Sequence, residues 1–503
     1  MALSFPPFGL WPLAFVALVP LGVKVCAPGV SRSEAVAGGL WFGALFYGVV
    51  LYWVPFTMNG ILSFGAVLGC LAIAVLAGSS GFQLLAVHRL VAGQAGLAFL
   101  ALPAVWVTTE TALAYAGPLA MPWTPLGLAL SGTPALAGLA GWGGVRGLSL
   151  WIALVNGGLV GCILVRSGWG RRVSVVGVLA ALIGPATSAV AADQRLETTR
   201  LPPILATQID IPRELLQDPD LRDRHVGVAL RRVLGSWTSS NRSQPGTRST
   251  PRESEEPVLV LLPEAPFRKE WNQEIEGQIV TLAGGWGIPV LVGARLEDGP
   301  RSDPRRSRNA VMLVEPGGGT RLVHEKIRLV PGVESPASRP GLRTGPLQLS
   351  GLNVGFAICF ESAFGRDALR ARRDGANVLF NPTNDGWFSP TLPVIGSAAL
   401  AQHQAHLALR ATESRMTAVR SSLGGELLAI SPDGRVQVRR GIGEEGAVLV
   451  VPSVGPLTPY VRYGDTGGIA GALLLVLLAV LRVQSERRSA TESVPSGAHE
   501  GSG

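Results

Sequence analysis

The spacing of apolar and polar positions divides the chain into three parts. Charges are sparse over residues 1–192, abundant from there to about residue 465, and sparse again through residue 481. Near-continuous apolar runs at residues 10–23, 35–54, 61–87, 95–115, 148–165 and 173–191 predict membrane-crossing helices, and a seventh follows at 467–481. The first run is short for a bilayer and reads as an interfacial or truncated span. The stretch 124–144 is apolar but broken by Pro and Gly, which predicts a loop or a re-entrant segment. Between residues 203 and 459 the pattern changes to short β-rich runs, at 204–209, 258–262, 289–294, 310–315, 321–324, 352–358, 378–381, 417–421, 427–431 and 447–451. These alternate with helical stretches at 218–235, 270–286, 363–373 and 396–414. Such alternation predicts a layered α/β domain. Residues 238–256, rich in Ser, Arg, Pro and Glu, and the tail 485–503 read as disordered.

The chain is therefore expected to comprise a polytopic α-helical membrane domain over residues 1–192 with about six spans, a soluble α/β domain at 203–459 and a C-terminal transmembrane helix at 467–482. Composition agrees: 47% of the 503 residues are hydrophobic and only 16% charged, too apolar for an ordinary soluble chain. Lys24 and Arg32, His88 and Arg89, and Arg166, Arg171 and Arg172 mark alternate loops, whereas the loops at 57–60 and 116–125 carry no charge. By the positive-inside rule the basic loops are cytoplasmic, the soluble domain lies outside, and the tail with Arg482, Arg487 and Arg488 returns to the cytoplasm. Arg146 is the single exception. The net charge of +8 comes from these topogenic residues and a basic loop at 301–308, with no aromatic-interleaved stripe of the kind that binds nucleic acid. No cleavable signal is expected, because the start lacks a basic n-region and a cleavage site before Lys24.

Candidate chemistry gathers at strand ends of the soluble domain. Cys359 follows the apolar run 352–358 and is the one cysteine outside the membrane-like parts; Cys26, Cys70 and Cys162 lie in or beside spans. No disulfide within the soluble domain is then possible. A thiol where a strand turns into a helix is expected to have its pKa lowered by the helix N-terminus. Glu264 and Lys326 also stand at strand ends, and a Glu, a Lys and a Cys so presented form a plausible acid–base–nucleophile set. His403 and His406 are three apart on a helix, but no third ligand falls at useful spacing, so a structural role is expected and no metal or cofactor is implied. No Asn or Asp that would orient His324 is evident in the sequence, which argues against a Cys–His protease. Glu110, inside an apolar span, is costly to bury and a weak functional candidate.

Four runs in order, Leu262-Pro-Glu264, Lys326-Ile-Arg-Leu-Val-Pro331 with Glu334, Ile358-Cys-Phe-Glu361 and Asn381-Pro-Thr-Asn-Asp-Gly-Trp-Phe388, resemble the carbon–nitrogen hydrolase (nitrilase) superfamily. The membrane frame, with Gln208-Ile-Asp-Ile-Pro212 and Leu457-Thr-Pro-Tyr-Val-Arg-Tyr-Gly-Asp465, narrows the resemblance to the apolipoprotein N-acyltransferase family. That resemblance implies a nitrilase-like α-β-β-α sandwich and a bacterial inner-membrane enzyme with its catalytic domain outside the cytoplasm. It would transfer an acyl chain from a phospholipid to the α-amine of a diacylglyceryl lipoprotein through a Cys359 thioester, without a cofactor and as a monomer. Cys359 would be the nucleophile, Glu264 the base and Lys326 the oxyanion partner. Glu334 and Glu361 would support them, and Phe360, Trp387 and Phe388 would line the acyl entrance. The family ordinarily has eight spans against the seven read here, and Met1-Ala-Leu-Ser-Phe-Pro-Pro looks like its second segment. Gly332-Val333 and Phe360 also depart from the usual Phe-Gly and Tyr. Two other functions fit less well. A membrane-tethered amidase would use the same triad but needs fewer spans. A transporter with a degenerate hydrolase domain predicts loss of a triad residue, and all three are present.

Overall fold

The computed structural model describes residues 1–60, 63–91, 94–166, 168–194, 196–212, 215, 218–242, 256–297, 303, 305–388 and 393–492. Among the described residues eight α-helices precede the hydrolase part: α1 (Val19–Cys26), α2 (Arg32–Val50), α3 (Trp53–Asn59), α4 (Gly65–Val91), α5 (Ala98–Ala114), α6 (Pro134–Ala137), α7 (Ala140–Leu164) and α8 (Gly168–Gln194). Among the described residues five helices are long and apolar enough to cross a membrane, at Arg32–Val50, Gly65–Val91, Ala95–Ala114, Ala140–Leu164 and Thr466–Arg488. The apolar run at 10–23 becomes a short helical stretch, Trp11–Cys26. The side chains of the C-terminal part of α8, residues 184–194, lie outside the described residues. Trp41, Phe64 and Phe82 are 71%, 77% and 76% exposed, a surface that water would penalise and lipid accepts.

The apolar stretch 124–144 folds back as a 3-10 turn (Leu126–Leu130), α6 and the start of α7. Glu110 organises it, accepting hydrogen bonds through Oε1 from Trp106 Nε1 at 3.1 Å and from the Leu126 backbone N–H at 2.8 Å. The α7 backbone breaks at Gly144, whose φ of +69° disfavours any side chain, and the Tyr460 ring packs where a Cβ would project. Arg146, the exception to the charge alternation, is not a topogenic charge: it is buried and bonds Asp465 at 2.5 Å.

The hydrolase part is a four-layer sandwich. Its strands are β1 (Thr199–Arg200), β2 (Ile204–Ile209), β3 (Leu259–Leu261), β4 (Val290–Glu297), β5 (Ser307–Val314), β6 (Thr320–Glu325), β7 (Leu347–Leu349), β8 (Leu352–Phe356), β9 (Val378–Asn384), β10 (Thr417–Leu423), β11 (Leu427–Ile430), β12 (Val436–Arg440), β13 (Gly446–Val450) and β14 (Ser453–Val454). Its helices are α9 (Pro219–Arg242), α10 (Gln273–Trp286), α11 (Gly365–Arg373), α12 (Pro393–Ser414) and α13 (Pro459–Tyr463), followed by the membrane helix α14 (Thr466–Glu492). One sheet runs β6-β5-β4-β3-β2-β13 and the other β7-β8-β9-β10-β11-β12. They join only at the ends of β2 and β10, where Gln208 pairs with Ser422 and Ile209 with Leu423. Alternating side chains then face different layers. Ile204, Leu261, Leu313, Val354, Phe380 and Val419 fill the space between the sheets. Leu205, Val260 and Val292 pack outward on α9 and α10, and Leu379, Ala418 and Leu428 outward toward α11 and α12. This is the α-β-β-α sandwich of the nitrilase fold. Its α12 side meets the membrane helices, where Phe360, Phe364, Ala398 and Leu409 share one apolar cluster with Trp53, Leu102 and Trp123.

Two local expectations are corrected. Helix α9 continues to Arg242, through residues read as the start of a disordered loop, because its apolar stripe (Val226, Leu230, Val233) docks on the sheet; residues 243–255 lie outside the described residues. Helix α14 carries residues 485–492, read as tail, as a continuation of the preceding apolar helix, and 493–503 lie outside the described residues. The predicted helix at 363–373 forms as α11, preceded by a 3-10 turn at Cys359–Ala363.

The Arg146–Asp465 pair gives a test. Asp465→Ala leaves a buried guanidinium without its counter-charge, and should destabilise the protein by about 3–5 kcal/mol. The double variant Arg146→Leu/Asp465→Leu should recover most of the loss in a detergent thermal-unfolding series.

Candidate active site

Lys326 follows β6 and is 1% exposed, so its ammonium survives only with partners. Nζ donates to Glu264 Oε1 at 3.0 Å and to Glu334 Oε1 at 2.8 Å. Burial works to strip the lysine of its proton, but the two carboxylates outweigh it and hold the ammonium well above the usual lysine range. Glu264 is fixed in turn: Asn309 Nδ2 donates to Oε1 at 2.6 Å and the Asn384 backbone N–H to Oε2 at 2.8 Å. It reaches the site because Gly293 on β4 lets the Pro263–Glu264 backbone come close; a Cβ there would sit 2.5 Å from Glu264 Cα. Glu334 is braced by the Val330 N–H, which donates to Oε2 at 2.8 Å.

Cys359 is the first residue of the 3-10 turn and has φ +48°, a left-handed conformation strained for any side chain but glycine's. A buried polar network holds it there. His403 Nε2 donates to the Cys359 carbonyl at 2.9 Å, and Ser362 Oγ donates to the same oxygen at 2.9 Å. His403 Nδ1 faces Asp385 Oδ1 at 3.1 Å. The carbonyl can only accept, so Nε2 carries a proton, while burial and then the Arg420 charge lower the His403 pKa against the pull of Asp385. Arg420 is the hub: Nη1 reaches Asp385 Oδ2 at 3.3 Å and Nε donates to Asn381 Oδ1 at 2.9 Å. The Asn381 amide then donates to the Ala357 carbonyl at 2.5 Å, so the chain is tethered both before and at Cys359. Although burial raises its pKa, Arg420 and His403 hold the Asp385 carboxyl below the usual range.

The expectation of a lowered thiol pKa is overturned. A five-residue 3-10 turn supplies little dipole, whereas burial, and then the Glu264 charge, push the Cys359 thiol well above its ordinary value against the pull of Lys326. The resting group is a neutral thiol.

The other candidate residues separate. Glu361 does not line the cavity over the thiol; it accepts from the backbone N–H groups of Ile327 at 2.6 Å, Arg328 at 3.1 Å and Ile358 at 2.8 Å, and so ties the lysine loop to the cysteine loop. Burial opposes its ionisation, but His324 and these donors lower its pKa. His324 stacks on Phe356 at 5.2 Å, and His406 bonds the Trp123 carbonyl at 3.1 Å. Phe360 and Phe388 do line the cavity; the Trp387 side chain lies outside the described residues. Sequence reasoning gave no role to Asn309, Asn384, Asp385, Arg420, Trp53 or Trp123. Asn384 and Asp385 were visible only as part of a motif, and the others carry no local signal.

The cavity has a volume of about 190 Å³ and is almost wholly apolar. Lys326, Glu334, Cys359, Phe360 and Phe388 form its hydrolase side, and Trp53, Val54, Met58, Ala72, Met121 and Trp123 its membrane side. A raised thiol pKa predicts that alkylation of Cys359 by iodoacetamide, followed on its own peptide, accelerates through and beyond pH ~8.5. A plateau below pH ~7 would mark a stabilised thiolate and contradict the assignment.

Residues 1–158 match the apolipoprotein N-acyltransferase N-terminal domain, and residues 253–453 match the carbon-nitrogen hydrolase family. The apolipoprotein N-acyltransferase of Rhodopseudomonas palustris is 27% identical over 531 residues, covering 96% of this chain and 93% of its own. That of Mycolicibacterium smegmatis is 26% identical over 526 residues, covering 96% of this chain and 82% of its own. Among solved structures, the C. elegans NitFhit protein aligns with 54% of this chain and 63% of its own at 20% identity and a TM-score of 0.39. Both family matches fall on one chain whose sandwich presents Lys326 and Cys359 to a cavity shared with the membrane domain, and the chain is an acyltransferase similar over nearly its whole length to the apolipoprotein N-acyltransferases.

Proposed function

We propose that this protein transfers an acyl chain from a phospholipid to the N-terminal α-amine of a diacylglyceryl-cysteine lipoprotein, in two half-reactions through a Cys359 thioester. The observation that carries the reading is the cavity: a buried nucleophile that opens onto Trp53, Val54, Met58 and Ala72 of membrane helices is supplied from lipid rather than from water. In the first half-reaction Cys359 Sγ attacks the ester carbonyl while Glu264 takes the thiol proton. The raised thiol pKa makes that transfer necessary. The Lys326 ammonium, kept charged by its two carboxylates, and a backbone N–H near Phe360 stabilise the tetrahedral oxyanion. Collapse expels the lysophospholipid, which receives the proton from Glu264. In the second, Glu264 deprotonates the incoming α-amine, the amine attacks the thioester, and the thiol leaves as the amide forms. Glu334 keeps Lys326 in register, and Glu361 keeps the two loops together.

The charge pattern supports a placement for this chemistry: basic loops between alternate predicted spans favour a hydrolase domain on the extracytoplasmic face of a bacterial cytoplasmic membrane, beside the lipid that it uses. Intact-mass analysis after incubation with phosphatidylethanolamine tests the reading. Wild type should gain one acyl mass and Cys359→Ala none, and a diacylglyceryl-cysteine peptide should discharge the adduct and gain the chain as an amide. Glu264→Gln should slow acylation by about 100- to 10,000-fold, and Lys326→Met by about 100- to 1,000-fold. An adduct discharged by water but not by the peptide would instead indicate a membrane-tethered hydrolase.

A further inference from the structure

Helix α12 carries, immediately before His403, a glutamine whose hydrogen bonds all go to the membrane domain. Gln402 Oε1 accepts from Trp123 Nε1 at 2.8 Å and from Trp53 Nε1 at 3.1 Å. Its Nε2 donates to the Val50 carbonyl at 2.9 Å and to the Pro6 carbonyl at 3.2 Å. A carboxamide has two lone pairs and two N–H groups, so this 1%-exposed side chain has no unused capacity and one permitted orientation. Both indoles line the cavity over Cys359. Each also meets an aromatic ring of the hydrolase side: Trp53 lies edge-on to Phe388 at 5.3 Å and Trp123 stacks on Phe360 at 5.9 Å.

Ring contacts alone leave an indole several arrangements of similar energy, because offset-stacked and edge-on packings differ little. An N–H bonded to a fixed acceptor removes that freedom. An apolar pocket discriminates between chains that differ by methylenes only as sharply as its walls are fixed. We propose that Gln402 determines acyl-chain specificity by positioning Trp53 and Trp123, the cavity wall shared by both domains. The inference rests on the acyl-transfer reading above and deepens it. Gln402 touches no reacting atom; it acts through the two indoles.

The test uses the full-length protein in detergent and phosphatidylethanolamines with decanoyl, myristoyl, palmitoyl or stearoyl chains, with single-turnover acylation of Cys359 read by intact mass. Gln402→Met keeps the side-chain length and removes all four bonds. The ratio of the fastest to the slowest donor should fall by about tenfold or more. Trp123→Phe and Trp53→Phe each remove one indole N–H and leave the bonds from Gln402 to Val50 and Pro6. Each should lower the ratio, and adding Gln402→Met to Trp123→Phe should lower it by less than the two changes taken separately. An unchanged ratio in Gln402→Met, with only a lower unfolding midpoint, would overturn the inference and leave Gln402 as interdomain glue. If Gln402→Met fails to fold, an unchanged ratio in both tryptophan variants overturns it equally. Wild type that takes up no acyl group from any donor overturns the acyl-transfer reading and this inference with it, whereas a wild-type preference that survives every variant overturns this inference alone.

Discussion

A single buried ammonium sets the terms for the rest of the molecule. Lys326 is charged in a place where an isolated charge would not persist, and Glu264 and Glu334 are the reason. Two carboxylates around one lysine leave an excess negative charge, which favours a neutral thiol beside them. The cluster also dictates architecture: Glu264 follows β3, Lys326 and Glu334 follow β6 and Cys359 follows β8, so the sheets and the close approach at Gly293 must bring three chain segments together. Spare lone pairs are then filled by Asn309 and the Asn384 N–H.

Helix α12 joins this centre to the membrane part. Within little more than one turn it offers Gln402 to two indoles, His403 to the Cys359 carbonyl and His406 to the Trp123 carbonyl. Further along, Glu413 accepts from the Val145 N–H at 2.7 Å, one residue past the break in α7 at Gly144. Arg410 lies 2.9 Å from the same carboxylate. Polar side chains thus fix the relative position of two bodies whose interface is otherwise apolar and poor in directional constraint.

Much of the architecture was legible in the chain because it rests on period. Apolar runs marked the long membrane helices, and alternation marked nearly all the long strands. The short edge strand β7 escaped notice, as a three-residue strand has too few positions to show a period. Extra helix at 236–242 and 485–492 was missed because polar composition was read as disorder where packing or helix continuation prevails. At the site, Glu264, Lys326, Cys359 and Glu334 were legible because each sits in a recognisable run, and the structure brings them together. The sense of the thiol pKa was not legible: it depends on burial and on Glu264, 95 residues away in sequence, and not on the local helix start. Arg420, Asp385 and His403 were likewise invisible as a unit, since a network across β9, β10 and α12 has no signature in any one segment.

The left-handed backbone at Cys359 has a further consequence for how the protein can drift. A non-glycine residue there stores about 1–2 kcal/mol, and a glycine would release it. Glycine at 359 would therefore relax the backbone while giving up the side chain's place in the apolar cluster between the sheets, so strain and packing pull in opposite directions at this one position.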